Sequence, residues 1–312
     1  MKTLTTAAPS TKRILLTSFI VDCASLLCNT LAAIFTGSAI MVVAALEGFA
    51  GLCSSGMLLA GNRRANKRAT KLHPFGYGKE LYYWSTIAAF IIVTIVAVLA
   101  FRFGYSHFED GSVRNTALIF IALGFSLVTN LYSLWHSFGK LLEDQPARNV
   151  LKVFINSPLI APKNAMVLDT MGSFAAGIGL VAITLQTITG NASFDGIGAM
   201  AMGLLLLLSA CMLLLSVRSL VLGQSAPKEM ERKLRDAARE VTEVRHILGM
   251  RTIMIGSDKI LVNVEVHLRD GMTTDQVEEA VAKVRAAMEK AGEGEGLKVH
   301  VEPDAYEDVH RS

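Results

Sequence analysis

The chain alternates long apolar runs with short polar blocks and then ends in a stretch of mixed character. Six runs match the roughly twenty apolar residues that a helix needs to cross a bilayer core: Ile14–Phe35, Ser38–Gly61, Leu81–Gly104, Asn115–Phe138, Ala165–Ile188 and Gly196–Gly223. Only a turn around Thr36-Gly37-Ser38 separates the first two, so they are expected to be antiparallel neighbours.

From Gln224 onward the pattern becomes that of a small soluble unit. Lys228 to Val241 reads as an amphipathic helix entered through Pro227, a residue tolerated in the first turn. Arg251–Ile255 and Ile260–His267 read as strands, the second alternating Ile260, Val262, Val264 and Val266, with Gly256-Ser257-Asp258 as a hairpin turn. Thr273 is placed to cap a helix over Thr274–Lys290, and Lys298–Glu302 supplies a last strand. The α-β-β-α-β order implies helices on one face of a small sheet. The expected organisation is an N-terminal arm (1–13), an all-α six-helix transmembrane bundle (14–223) and a small cytoplasmic α+β domain (224–312).

Composition agrees: 52% of the 312 residues are apolar and only 18% charged, with the charge clustered in short blocks between the runs. The net charge of +3 is too small to argue for nucleic acid. The distribution of bases is informative. Lys2, Lys12 and Arg13 precede the first run, six Lys and Arg from Arg63 to Lys79 follow the second, and Lys140, Arg148, Lys152 and Lys163 follow the fourth. The intervening loops have Arg102 and Arg114 against Glu109 and Asp110, and Asp195 with no base. Positive charge stays on the cytoplasmic side, so both termini are expected there, in a multi-pass protein of a bacterial inner membrane. The four cysteines all fall in apolar runs, lack disulfide or zinc-ribbon spacing, and read as small buried apolar residues. No cleavage site follows the first run, which is read as a span rather than a signal peptide.

An ionisable group within a span is costly, about 3 kcal/mol for a central Asp, and is functional by default. Glu47 in the second run, Asp169 in the fifth and Asp22 in the first are the candidates, accompanied by Asn29, Asn130, Thr170 and Ser173. They read as oxygen ligands of a cation, or as acids that only position helices; for Asp22 both readings stand. Asn29 and Asn130 read as interhelical hydrogen-bond partners. In the soluble unit His300 and Glu302 share a strand face, with Glu265 and His267 on the neighbouring strand. Such a group suits zinc or a related divalent ion, or forms a polar face or interface. The loop His73-Pro74-Phe75-Gly76-Tyr77-Gly78-Lys79-Glu80 is a shaped turn, followed by an interfacial belt of Tyr82, Tyr83 and Trp84. The spans contain no His-Glu-x-x-His and no Gly-x-Ser-x-Gly, so an intramembrane enzyme is not expected.

That loop, with Phe35-Thr-Gly-Ser-Ala-Ile between the first two runs, Asp195 before the sixth and Leu222-Gly223 at its end, resembles the cation diffusion facilitators over essentially the whole chain. These are proton-coupled exporters of divalent metals, with zinc transporters among them. The resemblance implies a homodimer in contact through metallochaperone-like, ferredoxin-like cytoplasmic domains. It implies alternating access driven by the proton gradient, with protons and the lipid bilayer as partners. It implies no resident cofactor beyond a structural zinc in the C-terminal domain, since the divalent ion is cargo. Members carry ligand pairs four residues apart in spans two and five; here these positions are Glu47 with Gly51 and Ala165 with Asp169. His73 matches a loop ligand, while Thr70 and Tyr77 stand where relatives often have Asp and His. His300 and Glu302 match ligand positions of the soluble domain, with Glu265 a further candidate, whereas Leu248 does not match.

Two carboxylates cannot enclose zinc tetrahedrally, and an oxygen-rich, half-open site suits a harder ion that keeps its waters, such as Mn²⁺ or Mg²⁺, with Fe²⁺ also open. The expected function is export of Zn²⁺, Mn²⁺, Fe²⁺ or Co²⁺ in exchange for protons. The alternative is a degenerate member that transports nothing and serves as a structural or regulatory partner, for instance in a heterodimer.

Overall fold

The computed structural model describes residues 11–110, 113–141, 160–256, 259–292 and 296–304. They form two compact units. One holds the described residues up to Asn66 and those from Glu80 to Arg218; the other holds Lys67–Lys79 and those from Ser219 onward.

The first unit is helical throughout. Helices α1 (Thr11–Thr36) and α2 (Ala39–Ala65) are followed by α3 (Glu80–Ile91) and α4 (Ala97–Asp110), which a five-residue π-helical stretch (Ile92–Val96) joins into one rod. Next come α5 (Thr116–Leu141), α6 (Ile160–Thr189) and α7 (Ser193–Leu222). Among the described residues six helices are long and apolar enough to cross a membrane, as the hydrophobic runs require. This is a multi-pass integral membrane protein. Its largest apolar residues divide between a packed interior, with Ile40, Ile92, Leu123 and Met202 buried, and an exposed outer surface that lipid can cover.

The turn between α1 and α2 is fixed by a distant residue. Asp195, in the first turn of α7, is fully buried and accepts hydrogen bonds from Ser38 Oγ (2.5 Å), Ala39 N (2.6 Å) and Ile40 N (3.3 Å). A carboxylate thus satisfies orphan amides at the start of α2, where the helix dipole also favours negative charge. Glycine keeps α1 close to α2: a Cβ on Gly48 would lie 2.9 Å from Leu26 Cα.

Several details depart from the sequence reading. Lys163, assigned to the loop after the fourth span, lies within α6 and is 2% exposed. The helix begins at Ile160 because Pro162 is tolerated in a first turn, where no intrahelical donor is lost. Tyr82 is fully buried rather than part of an aromatic belt, which leaves Tyr83 exposed and Trp84 donating from Nε1 to Glu80 at 2.8 Å. Cys23 and Cys211 are exposed, against the expectation of burial. Lipid solvates apolar side chains, so hydrophobicity in a span does not require a place in the protein core. Most of the loop after α5, with Arg148 and Lys152, lies outside the described residues, as do Lys2 and the tip of the hairpin turn at Ser257 and Asp258.

The second unit has the order α8 (Lys228–Arg239), β1 (Val244–Gly256), β2 (Lys259–Leu268), α9 (Thr274–Ala291) and β3 (Gly296–Pro303). The sheet order is β1-β2-β3, with β1 antiparallel and β3 parallel to β2. This is the α+β arrangement read from the sequence. Ile260, Val262, Val264 and Val266 are fully buried on one face of β2 against Leu234 of α8 and Ala280, Val284 and Met288 of α9. Thr273 and Gln276 form a reciprocal capping box at the start of α9.

Candidate cation site

Inside the helical unit is a cavity of about 130 Å³ lined by residues of α1, α2, α5, α6 and α7. Its described lining includes three acids, Asp22 from α1, Glu47 from α2 and Asp169 from α6, and among the described residues no Lys, Arg or His. Uncompensated negative charge in a low-dielectric setting attracts a cation and disfavours an anion.

Two of the acids are held by α5. Asn130 Nδ2 donates to Glu47 Oε1 at 3.1 Å, and Ser133 Oγ donates to Asp169 Oδ2 at 2.6 Å. Each bond orients a carboxylate while leaving oxygen lone pairs for a ligand. Small residues make the room. A Cβ on Gly172 would collide with Glu47 Oε1 and would lie 2.5 Å from Asn130 Nδ2, so glycine is what allows these two side chains to meet beside α6.

The expected hydroxyl companions do not reach the carboxylates. Thr170 Oγ1 donates to Met166 O at 2.6 Å and Ser173 Oγ to Asp169 O at 2.7 Å, each bonding a carbonyl of its own helix. Ser133 takes that role instead. The sequence does contain a signal for it: Ser126, Asn130 and Ser133 recur at helical spacing on α5, a polar stripe on an apolar helix. Asn29 behaves as an interhelical partner, donating to Ala44 O at 3.3 Å and accepting from Ser126 Oγ at 3.1 Å.

Gly51 and Ala165, which stand where the resemblance implies ligands, both line the cavity without offering a donor atom from their side chains. Among the described residues no group of three or more His, Cys, Asp or Glu converges closely enough to hold a metal directly. The cavity therefore offers separated oxygens, a geometry suited to an ion that retains water between itself and some of its ligands.

The remaining candidates lie in the second unit. His73 is in a tight turn, with backbone bonds His73 N to Thr70 O (3.1 Å) and Thr70 N to His73 O (3.2 Å). Its ring packs on Tyr77 at 4.6 Å, and the Tyr77 hydroxyl lies 3.2 Å from Thr70 Oγ1. Gly78 lies so close to the backbone of Ile255 and Gly256 that a Cβ would collide with the Ile255 carbonyl, and Lys298 Nζ donates to Pro74 O at 3.4 Å. The loop signature is thus used to dock the loop on the soluble fold. On the open sheet face Glu265 is in register with Glu302, and His300 with Asn263. His300 Nδ1 is 3.1 Å from Asn263 Oδ1, and Glu265 is 3.6 Å from Arg251.

Residues 15–221 match the family model described as the cation efflux transmembrane domain. The chain belongs to the cation efflux family. The match spans all six bundle helices and the whole cavity lining, in keeping with the resemblance to cation diffusion facilitators. Similar proteins include the proton-coupled zinc antiporter SLC30A9, mitochondrial, of Homo sapiens, 24% identical over 247 residues that cover 78% of this chain and 44% of that protein. The metal tolerance protein C4 of Arabidopsis thaliana is 22% identical over 245 residues, 76% of this chain and 52% of that protein. The chain thus spans about half the length of these curated relatives.

Proposed function

We propose that this protein is a secondary transporter that exports a divalent metal cation from the cytoplasm in exchange for protons, with Glu47 and Asp169 as ligands. The observation that carries the reading is the cavity itself, where carboxylates from α2 and α6 are each held by a polar side chain of α5 and no base among the described lining residues offsets their charge. The relatives named as a zinc antiporter and a metal tolerance protein support a metal as cargo, and the former supports proton coupling.

Coupling has a direct chemical basis. A carboxylate must lose its proton to coordinate metal, so proton and cation compete for the same oxygens. Metal loads the ionised pair from the cytoplasm, and protonation from the opposite side releases it. No step makes or breaks a covalent bond in a substrate, so the protein is not an enzyme. The three acids of the described cavity lining offer only oxygen donors, and such a set favours Mn²⁺ or Mg²⁺, with Fe²⁺ also open, over Zn²⁺. The distribution of Lys and Arg supports cytoplasmic termini in a plasma membrane, and the family resemblance supports a homodimer.

The test is metal uptake into proteoliposomes across an imposed pH gradient, with Zn²⁺, Mn²⁺, Fe²⁺, Co²⁺ and Mg²⁺ in parallel. Uptake of one of these ions that Asp169→Asn abolishes is expected; an Asp169→Asn protein transporting at the unaltered rate would refute the assignment. The separation of the acids, with Gly51 and Ala165 contributing no donors, favours a second reading. In that reading the protein is a non-transporting partner, and no ion moves with folded protein unless a second family member copurifies.

A further inference from the structure

The position that the family resemblance marks as a ligand in α2 is glycine, yet the space beside it is not vacant. A Cβ built on Gly51 would lie 2.8 Å from Asp22 Oδ1 and 3.1 Å from Asp22 Cγ. The carboxylate of α1 therefore occupies the volume that a side chain at position 51 would need. Asp22 is brought there by a polar stripe, since Ser18, Asp22, Ser25 and Asn29 recur at spacings of four, three and four on a mostly apolar helix. The first three line the cavity, and Asn29 anchors the same face through Ala44 O and Ser126. The opposite side of α1 is turned outward, with Ile20, Leu27 and Ile34 exposed.

We propose that Asp22 is a third carboxylate that holds the transported divalent cation through its bound water, and that Gly51 is the clearance that lets α1 supply the carboxylate that α2 lacks at that position. The proposal rests on the cavity being the transport site. Among the described residues of the lining, no base balances Asp22. A carboxylate placed within a span is expensive; Ser55 of α2 hydrogen-bonds Asp22, and a cation in the cavity offsets the charge that one hydroxyl leaves. A hydrated hard ion fits best, because its outer waters bridge carboxylates that do not converge to direct-contact distance.

The relation between the two positions is spatial, and it gives a reciprocal test. Binding of Mn²⁺ and of Zn²⁺ is measured by calorimetry on the full chain in lipid nanodiscs, and uptake of each ion in proteoliposomes, with monodispersity and melting temperature verified for each variant. Loss of an outer-shell partner commonly costs about 10- to 100-fold in metal affinity, so Asp22→Asn is expected to weaken Mn²⁺ binding by at least about tenfold. Gly51→Ala, which leaves every acid in the chain but pushes Asp22 aside, is expected to weaken it similarly. The double variant Asp22→Ala with Gly51→Asp, which moves the carboxylate from α1 to α2, is expected to regain most of the lost affinity. Wild-type binding and uptake in Asp22→Asn, with loss in Asp169→Asn, would overturn the role of Asp22 and leave the cavity as the transport site. Unchanged binding in both would overturn both readings. Loss in Asp22→Asn without recovery in the folded double variant would overturn the exchange between positions 22 and 51.

Discussion

Ser38 and Asp195 are 157 positions apart, yet the Ser38 hydroxyl donates to Asp195 Oδ1 at 2.5 Å in the buried junction where α2 and α7 both begin. The same carboxylate receives the amides of Ala39 and Ile40, so one side chain closes the start of α2 and ties two helices together. This gives a structural reason for the two short motifs, one between the first two spans and one before the last. They are the two halves of one cap.

Asp195→Ala leaves buried donors at the start of α2 without an acceptor, at a cost of about 3 kcal/mol or more. The melting temperature of the purified protein in detergent is expected to fall clearly. Asp195→Asn, which keeps one acceptor oxygen, is expected to fall less.

Ser133→Ala removes the hydrogen bond that orients Asp169 and leaves the carboxylate itself in place. Metal affinity is expected to drop by about tenfold, the lower end for loss of a group supporting a ligand. Ser133→Thr retains the hydroxyl and is expected to stay near wild type when binding is measured by calorimetry.

Gly172→Ala puts a methyl group against Glu47 Oε1 and the Asn130 amide. Proteoliposome uptake is expected to fall by about tenfold or more, because the displaced groups are Glu47 and the Asn130 amide that holds it. An equal rate in Gly172→Ala would mean that Glu47 does not need this position.

In the second unit, Lys283 Nζ donates to Glu243 Oε1 at 2.7 Å, and this bond holds the Glu243 carboxyl below its ordinary range and the Lys283 ammonium above its own. Glu243 contributes stability that is present above the ordinary Glu value and is lost as pH falls through its lowered folded value. The contribution of Lys283 is present below the ordinary Lys value and is lost as pH rises through its raised folded value. In Lys283→Met the Glu243 carboxyl is expected to titrate closer to the ordinary Glu value, as read by carboxyl NMR.

The membrane spans and the α+β order of the C-terminal unit were legible along the chain. Spans are legible because the bilayer demands a fixed length of apolar helix, and β2 is legible because alternate burial forces alternate hydrophobicity. Glu47 and Asp169 were legible for a related reason, since an acid in an apolar run is too costly to be incidental. Tertiary structure alone decided which groups meet them. Whether Asp22 faces lipid, a neighbouring helix or the cavity depends on how α1 is rotated, and that is settled by packing such as Gly48 on Leu26 and Asn29 on Ala44. The fit of Asp22 into the space left by Gly51 involves two helices and an absent side chain, and an absent side chain carries no pattern along the chain. Likewise Ser38 and Asp195 become one cap only after α2 and α7 pack, because a hydrogen bond between distant positions is set by the fold and not by local periodicity.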